Sequence, residues 1–78
     1  MIFSINIKNQ WTETFLMEVE DGETVWSLKQ RIQDALGIPV ENQELVHEDV
    51  VLKNFRTMND YHIRVGSEIE VNFRKVGN

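Results

Sequence analysis

Hydrophobic and polar residues alternate along the first twenty positions of this chain. Two runs place large apolar side chains at every second residue: Phe3/Ile5/Ile7 and then Phe15/Met17/Val19. Because side chains of a strand point alternately to its two sides, each run offers one apolar face to a core. The polar segment between the runs supplies a turn, so the pattern predicts a β-hairpin.

The apolar spacing changes to that of a helix after Gly22. Apolar residues then follow a 3.6-residue period at Val25, Leu28, Ile32 and Ala35 or Leu36. Thr24 is placed to cap the first turn with its hydroxyl, and Gly37 is placed to end the helix in a left-handed conformation. Pro39 prevents continuation. The pattern predicts an α-helix over about residues 25–36.

The remaining elements are shorter. Residues 44–47 and 50–52 read as strands joined by a turn at Glu48-Asp49, and 54–62 as a loop that Tyr61 and Ile63 attach to the core. Residues 67–74 alternate cleanly, with Ile69, Val71 and Phe73 predicted to face inward. We therefore expect one domain over residues 1–78, of the α+β class, with a mixed sheet of four to five strands packed on one helix.

Charge and composition narrow the classes of partner. Thirteen acidic residues stand against eight basic ones, for a formal net charge of -5. Nucleic acid and anionic membranes attract basic surfaces, so neither is expected as a partner. No apolar run approaches the roughly 20 residues that span a bilayer. The absence of cysteine fits a reducing compartment, and we expect a monomer in the cytoplasm, the nucleus or both.

No motif in the chain indicates catalysis. His47 and His62 lack metal-ligand spacing, which favours surface or turn roles for both. The serines carry no cue for a nucleophile, and no glycine-rich phosphate loop is present. We expect no enzymatic activity, no metal and no cofactor.

A set of residues spread over the whole chain carries a family resemblance. It comprises Glu18-Val19-Glu20, Thr24, Lys29, Ile32-Gln33-Asp34, Gly37-Ile38-Pro39, Gln43, Leu45, Leu52, Arg56-Thr57, Asp60-Tyr61, Ile63, Ser67 and Arg74. In this combination, without a gap from Phe3 to Asn78, the chain resembles the ubiquitin family. The resemblance implies a ubiquitin-like β-grasp fold, with Tyr61 closing the long loop through its hydroxyl. Most of the matches are structural, so they support the fold more than the function.

The tail departs from the pattern of conjugated family members, which end in two glycines. Arg74 and Gly77 match, but Asn78 replaces the terminal glycine. The resemblance then implies a non-conjugated protein-binding domain, part of a larger adaptor that docks on the proteasome or on ubiquitin-pathway enzymes. The alternative is a diverged modifier whose Gly-Gly tail lies beyond Asn78 or has been lost.

The family's main recognition surface is an apolar patch with a basic rim on the exposed face of the sheet. The resemblance places this surface, with the adjoining turn, at Gln10, Glu44, Val46, His47, Asp49, Val50, Glu70, Asn72 and Arg74. Among the patch positions only Val46 is still apolar, and Glu44 and Glu70 bring negative charge. Because like charges penalise an interface, we expect a partner that carries Lys or Arg instead of the acid-flanked helices typical of ubiquitin receptors. A solvated face without a partner is the alternative.

Several further positions differ from the family. Val50 and Val65 replace two lysines commonly used for chain extension, whereas Lys8 and Lys29 are retained, and the resemblance implies that Lys29 is largely packed. Val50 and Val51 could extend Val46 into an apolar strip, although we favour one of the two valines packing inward. Trp26 and Phe55 are expected to pack locally. For Trp11, at the hairpin tip, binding and structural roles stay open.

Overall fold

The computed structural model describes residues 1–76. In chain order it contains β1 (Ile2–Lys8), β2 (Phe15–Glu20), α1 (Val25–Leu36), β3 (Gln43–His47), β4 (Val50–Val51) and β5 (Glu68–Phe73). The strands form one sheet in the order β2-β1-β5-β3-β4. The central β1–β5 pair is parallel and the other pairs are antiparallel. This mixed sheet packed on one α-helix confirms the expected α+β, β-grasp arrangement.

The core lies between α1 and the inner face of the sheet. Its fully buried members come from the apolar runs of the sequence: Ile5, Ile7, Val19, Val25, Leu28, Ile32, Leu45, Ile69 and Val71. Phe3, Phe15, Met17 and Leu36 are partly buried against them. Burial of apolar surface on this scale is the main source of stability in a chain without disulfides.

Both ends of α1 use the predicted signals. Thr24 accepts a hydrogen bond at Oγ1 from the Ser27 backbone N–H at 3.1 Å. Gly37 adopts φ 78°, and its N–H donates to the Gln33 carbonyl at 2.7 Å. A residue with a Cβ pays a steric penalty in this left-handed conformation, which explains glycine at the helix terminus.

The segment between β4 and β5 is irregular and is held by backbone and side-chain hydrogen bonds. A short 3-10 turn covers Asn59–Tyr61. The Tyr61 hydroxyl accepts a hydrogen bond from the Lys53 backbone N–H at 2.8 Å, which confirms the expected closure of the loop. Met58 is fully buried below it, and its N–H donates to the Glu23 carbonyl at 2.9 Å. The loop is thereby fixed to the start of α1.

The expected inner position of Phe73 is wrong, because its side chain is 54% exposed. Phe73 pairs with Gln43 at the end of the β3–β5 ladder. The alternation of β5 is correct at this position, but the strand has by then run past the buried core. Position along the strand, and not its periodicity, decides the exposure of this ring.

The expectation of local packing is also wrong for Phe55, because its side chain is 87% exposed. The backbone N–H of Trp26 donates to the Asn54 carbonyl at 2.9 Å, so the two segments do meet. The contact is made by main-chain atoms, while the Phe55 ring points to solvent. Trp26 itself is 42% exposed.

Candidate interaction face

The outer face of the sheet carries one row of directly opposed residues across four strands. Lys8 of β1 pairs with Glu70 of β5, Glu70 pairs with Val46 of β3, and Val46 pairs with Val51 of β4. Directly opposed side chains on one face lie about 5 Å apart at Cβ. The register therefore places a carboxylate beside the one apolar residue retained at the centre of the predicted patch.

A second row lies beside the first. Glu44 of β3 pairs with Asn72 of β5, and both side chains are partly buried. Arg74 follows the end of β5, where its N–H donates to the Asn42 carbonyl at 2.7 Å and its own carbonyl accepts from Asn42 Nδ2 at 3.0 Å. These two bonds fix the backbone of Arg74 and place it at the edge of the outer face.

A surface depression of about 430 Å³ joins several of the predicted residues at the opposite end of β3. Val46, His47, Asp49 and Glu70 line it, together with Glu48 and Glu68. Four carboxylates thus surround Val46 and His47. We call this surface, with Glu44 added from the neighbouring row, the acidic face.

His47 differs from the other predicted residues because its ring is turned into the protein. The residue is only 8% exposed, which corrects the expectation of a surface role. Its Nδ1 lies 3.2 Å from the Glu68 carbonyl oxygen. A carbonyl can only accept, so Nδ1 carries the hydrogen in this contact. Nε2 lies 3.8 Å from Glu48 Oε1 at the rim. His47 thus ties β3 to β5 below the depression.

The predicted turn at Glu48-Asp49 is confirmed and has an unusual backbone. Glu48 has φ 49° and Asp49 has φ 66°. Positive φ at both central residues is the geometry of tight two-residue hairpins, where Asn and Gly are the usual residues. Two acidic residues occupy these positions here and present their carboxylates at the end of the hairpin.

The expectation that one of Val50 and Val51 packs inward is wrong. Val50 is 49% exposed and Val51 is 53% exposed. Val51 lies beside Val46 on the outer face, whereas Val50 pairs with His47 and so belongs to the other face of the sheet. Because β4 is an edge strand of two residues, little of the protein covers either valine. The apolar strip on the outer face is Val46 with Val51.

Gln10 lies apart from this cluster in the turn between β1 and β2. It is exposed, and its neighbour Trp11 is 46% exposed. Asn9 shapes the turn, since its Oδ1 accepts hydrogen bonds from the backbone N–H groups of Trp11 and Thr12 at 2.9 and 2.7 Å. The structure therefore provides a formed turn for Gln10 and Trp11 without joining them to the depression.

Sequence reasoning missed Glu48 and Glu68 as members of the site. Alternation in β5 already assigns Glu68 to the outer side of that strand. The turn geometry and the pairing of β3 with β5 are needed to bring both residues to Val46. The departures noted at Gly77 and Asn78 lie outside the described residues.

The family model for the ubiquitin family matches residues 5–76. The chain belongs to the ubiquitin family. Among curated proteins it is 34% identical over 71 residues to Ubiquitin domain-containing protein DSK2 of Saccharomyces cerevisiae. That alignment covers 91% of this chain and 19% of the relative, so the chain spans about a fifth of the relative's length. Within residues 1–76, no helix has the length and apolar character needed to cross a membrane.

Proposed function

We propose that residues 1–78 form one non-conjugated ubiquitin-like domain, without catalytic activity, that binds other proteins through the acidic face. The partner segment carries Lys or Arg beside an apolar side chain. The apolar side chain contacts Val46 and Val51, and the basic groups contact Glu44, Glu70 and the carboxylates around the depression.

The depression around Val46 is the observation that carries this proposal. Glu48, Asp49, Glu68 and Glu70 line it, and no lysine or arginine among residues 1–76 does. Complementary charge steers association and excludes partners of the same sign. An apolar centre within a charged rim is the usual anatomy of a protein interface. A helix flanked by acidic residues would bring like charge to this surface.

The comparison with DSK2 supports a domain within a longer protein of the ubiquitin–proteasome pathway. The name of that relative describes a protein that contains a ubiquitin domain, and the aligned part is a small share of its length. By analogy, this domain serves as a monomeric docking module of an adaptor in the cytoplasm or nucleus. Its partner is then a proteasome subunit or a ubiquitin-pathway enzyme.

An NMR titration tests the proposed partner chemistry. Two helical peptides of equal length and identical apolar face are added to labelled domain, one flanked by lysines and one flanked by glutamates. We expect the lysine-flanked helix to shift the amides of Val46, Asp49 and Glu70. Tight binding of the glutamate-flanked helix at these same amides would contradict the proposal.

Conjugation is tested separately on the full-length protein. Incubation with ubiquitin-activating enzyme and ATP should yield no thioester, whereas ubiquitin added to the same reaction as a control should yield one. A thioester on the full-length protein would favour a modifier over a binding domain.

A further inference from the structure

A second surface, at the start of β3, has the opposite charge. An open groove of about 500 Å³ lies between β3, the segment after β4 and the residue that follows β5. Lys29, Glu44, Lys53, Phe55 and Arg74 are among the residues that line it. Three of these side chains are positive and one is negative, although the chain as a whole has a net charge of -5. We call it the basic groove.

Lys29 is the unusual member of the groove. It projects from α1 and is only 7% exposed, as the family resemblance led us to expect. Among residues 1–76, no carboxylate lies within ion-pairing distance of its ammonium and no side-chain hydrogen bond satisfies it. Burial lowers the pKa of Lys29, Arg74 lowers it further, and Glu44 opposes them. The hydrocarbon stem of Lys29 is packed while its ammonium lines the open groove, so a carboxylate supplied from outside can pair with it.

The backbone beneath this ammonium is fixed in place. Gln43, which is 1% exposed, donates from Nε2 to the carbonyls of Lys29 and Ile38, both at 2.9 Å. These bonds tie β3 to the middle of α1 and to the segment that follows the helix. Arg74 is fixed on the other side by its two hydrogen bonds to Asn42. The backbone that carries Lys29 and Arg74 is thus anchored before any ligand arrives, which lowers the entropic cost of binding.

The remaining part of the groove is apolar. Phe55 is 87% exposed and Val51 is 53% exposed, and both line the groove beside Lys53. A nearly fully exposed phenylalanine gains little for folding, whereas aromatic residues contribute strongly at binding surfaces. Within the described chain the side chains of Lys53 and Arg74 also form no ion pair.

We infer that the basic groove binds an acidic segment of a partner protein. One carboxylate of the segment pairs with Lys29 and Arg74, another lies near Lys53, and an adjacent apolar side chain packs on Phe55 and Val51. The basic groove adjoins the acidic face and shares Glu44 and Val51 with it, but the two surfaces require segments of opposite charge, so each proposal is tested by its own peptide.

A titration with a defined peptide tests the inference. The probe is the acetylated and amidated peptide Asp-Glu-Asp-Phe-Glu-Asp-Glu, and its charge control replaces every acid by the corresponding amide. We expect the acidic peptide to shift the amides of Lys29, Lys53, Phe55 and Arg74, and the neutral peptide to leave them in place. Raising the salt concentration should weaken the binding, since exposed charges are screened.

Matched variants separate the groove from a general effect of charge. Lys53→Glu with Phe55→Ser removes two of the groove's exposed contacts and should raise the dissociation constant about tenfold or more. Arg64→Glu with Val65→Ser makes the same changes at two exposed residues outside the groove and should leave the constant within about twofold. Both variants should keep the melting temperature of the unmodified domain, because the altered side chains are exposed.

Three outcomes would overturn the inference. The first is an absence of shifts at millimolar peptide, and the second is equal weakening by both double variants. The third is displacement of the peptide by inorganic phosphate at equal concentration, which would reveal a general anion site with no preference for a peptide.

Discussion

Replacing Tyr61 by Phe tests how the long loop is held. The substitution removes only the hydroxyl, which accepts a hydrogen bond from the Lys53 N–H at 2.8 Å. The ring stays packed against the hydrophobic core. Any loss of stability therefore reports the hydrogen bond and not the hydrophobic contact.

The expected loss follows from the surroundings of the two groups. An unpaired polar group in a dry interior costs roughly 1–3 kcal/mol, whereas the net value of an ordinary hydrogen bond is about 1 kcal/mol. Lys53 is exposed and Tyr61 is only partly buried, so water can replace the lost acceptor. We therefore expect a loss of about 1 kcal/mol, near the lower end of the range. For a domain of this size that corresponds to a fall of about 5 °C in melting temperature.

Urea unfolding followed by tryptophan fluorescence, together with hydrogen exchange, measures this effect. The Lys53 amide should exchange faster in Tyr61→Phe, while amides in the β1–β5 ladder keep their relative protection. Tyr61→Leu, which also removes the ring contact, should cost clearly more. An unchanged unfolding free energy with unchanged exchange at Lys53 would show that the loop is held in another way.

Three further variants test local features of the fold. Gly37→Ala places a Cβ on a residue with φ 78°, where the added Cβ would meet no other side chain or backbone within 4 Å. We therefore expect backbone strain alone to lower the unfolding free energy by about 1 kcal/mol in thermal unfolding. An unchanged melting temperature would argue against a left-handed helix end. Replacing Glu48 by Asn and Asp49 by Gly fits the positive φ values of the turn, and should raise the unfolding free energy by about 1 kcal/mol while weakening binding at the acidic face; a less stable variant would contradict the turn geometry. Lys29→Met keeps the packed stem and removes a partly desolvated charge, so it should stabilise the domain slightly at neutral pH. Because the pKa of Lys29 is lowered in the folded state, the unfolded chain binds more protons as pH approaches 10.5, so this gain should shrink on raising the pH towards that value. A stability gain that grows as the pH is raised would contradict a lowered pKa of Lys29.

The fold was largely predictable because local signals and burial agree over most of the chain. The Thr24 cap, the Gly37 end and the alternation of β1, β2 and β5 each match the structure. The errors occur where the periodicity of a strand does not show whether another part of the protein covers its side chains. Phe73 lies on the predicted face but beyond the core, and the two valines of β4 are exposed because the strand is a short edge.

The candidate site was harder to predict because it depends on contacts between distant segments. Register between β3 and β5 sets Glu70 beside Val46, and a turn with two positive φ values presents Glu48 and Asp49 next to Glu68. The basic groove is similarly non-local, since Lys29, Phe55 and Arg74 come from three separate parts of the chain. The packing of Lys29 was expected from the family resemblance, whereas its lack of an ion pair among residues 1–76 is visible only in three dimensions.

The central claim about the acidic face is tested most directly by reversing the charge of that face and measuring which peptide the domain then prefers. Binding of the lysine-flanked and glutamate-flanked helices is measured by calorimetry for the unmodified domain and for Glu44→Lys with Glu70→Lys. The control, Glu18→Lys with Glu20→Lys, makes the same charge change at exposed positions of β2. Our account predicts that the unmodified domain and the control prefer the lysine-flanked helix, and that the first variant prefers the glutamate-flanked helix. The same preference in all three proteins would contradict it.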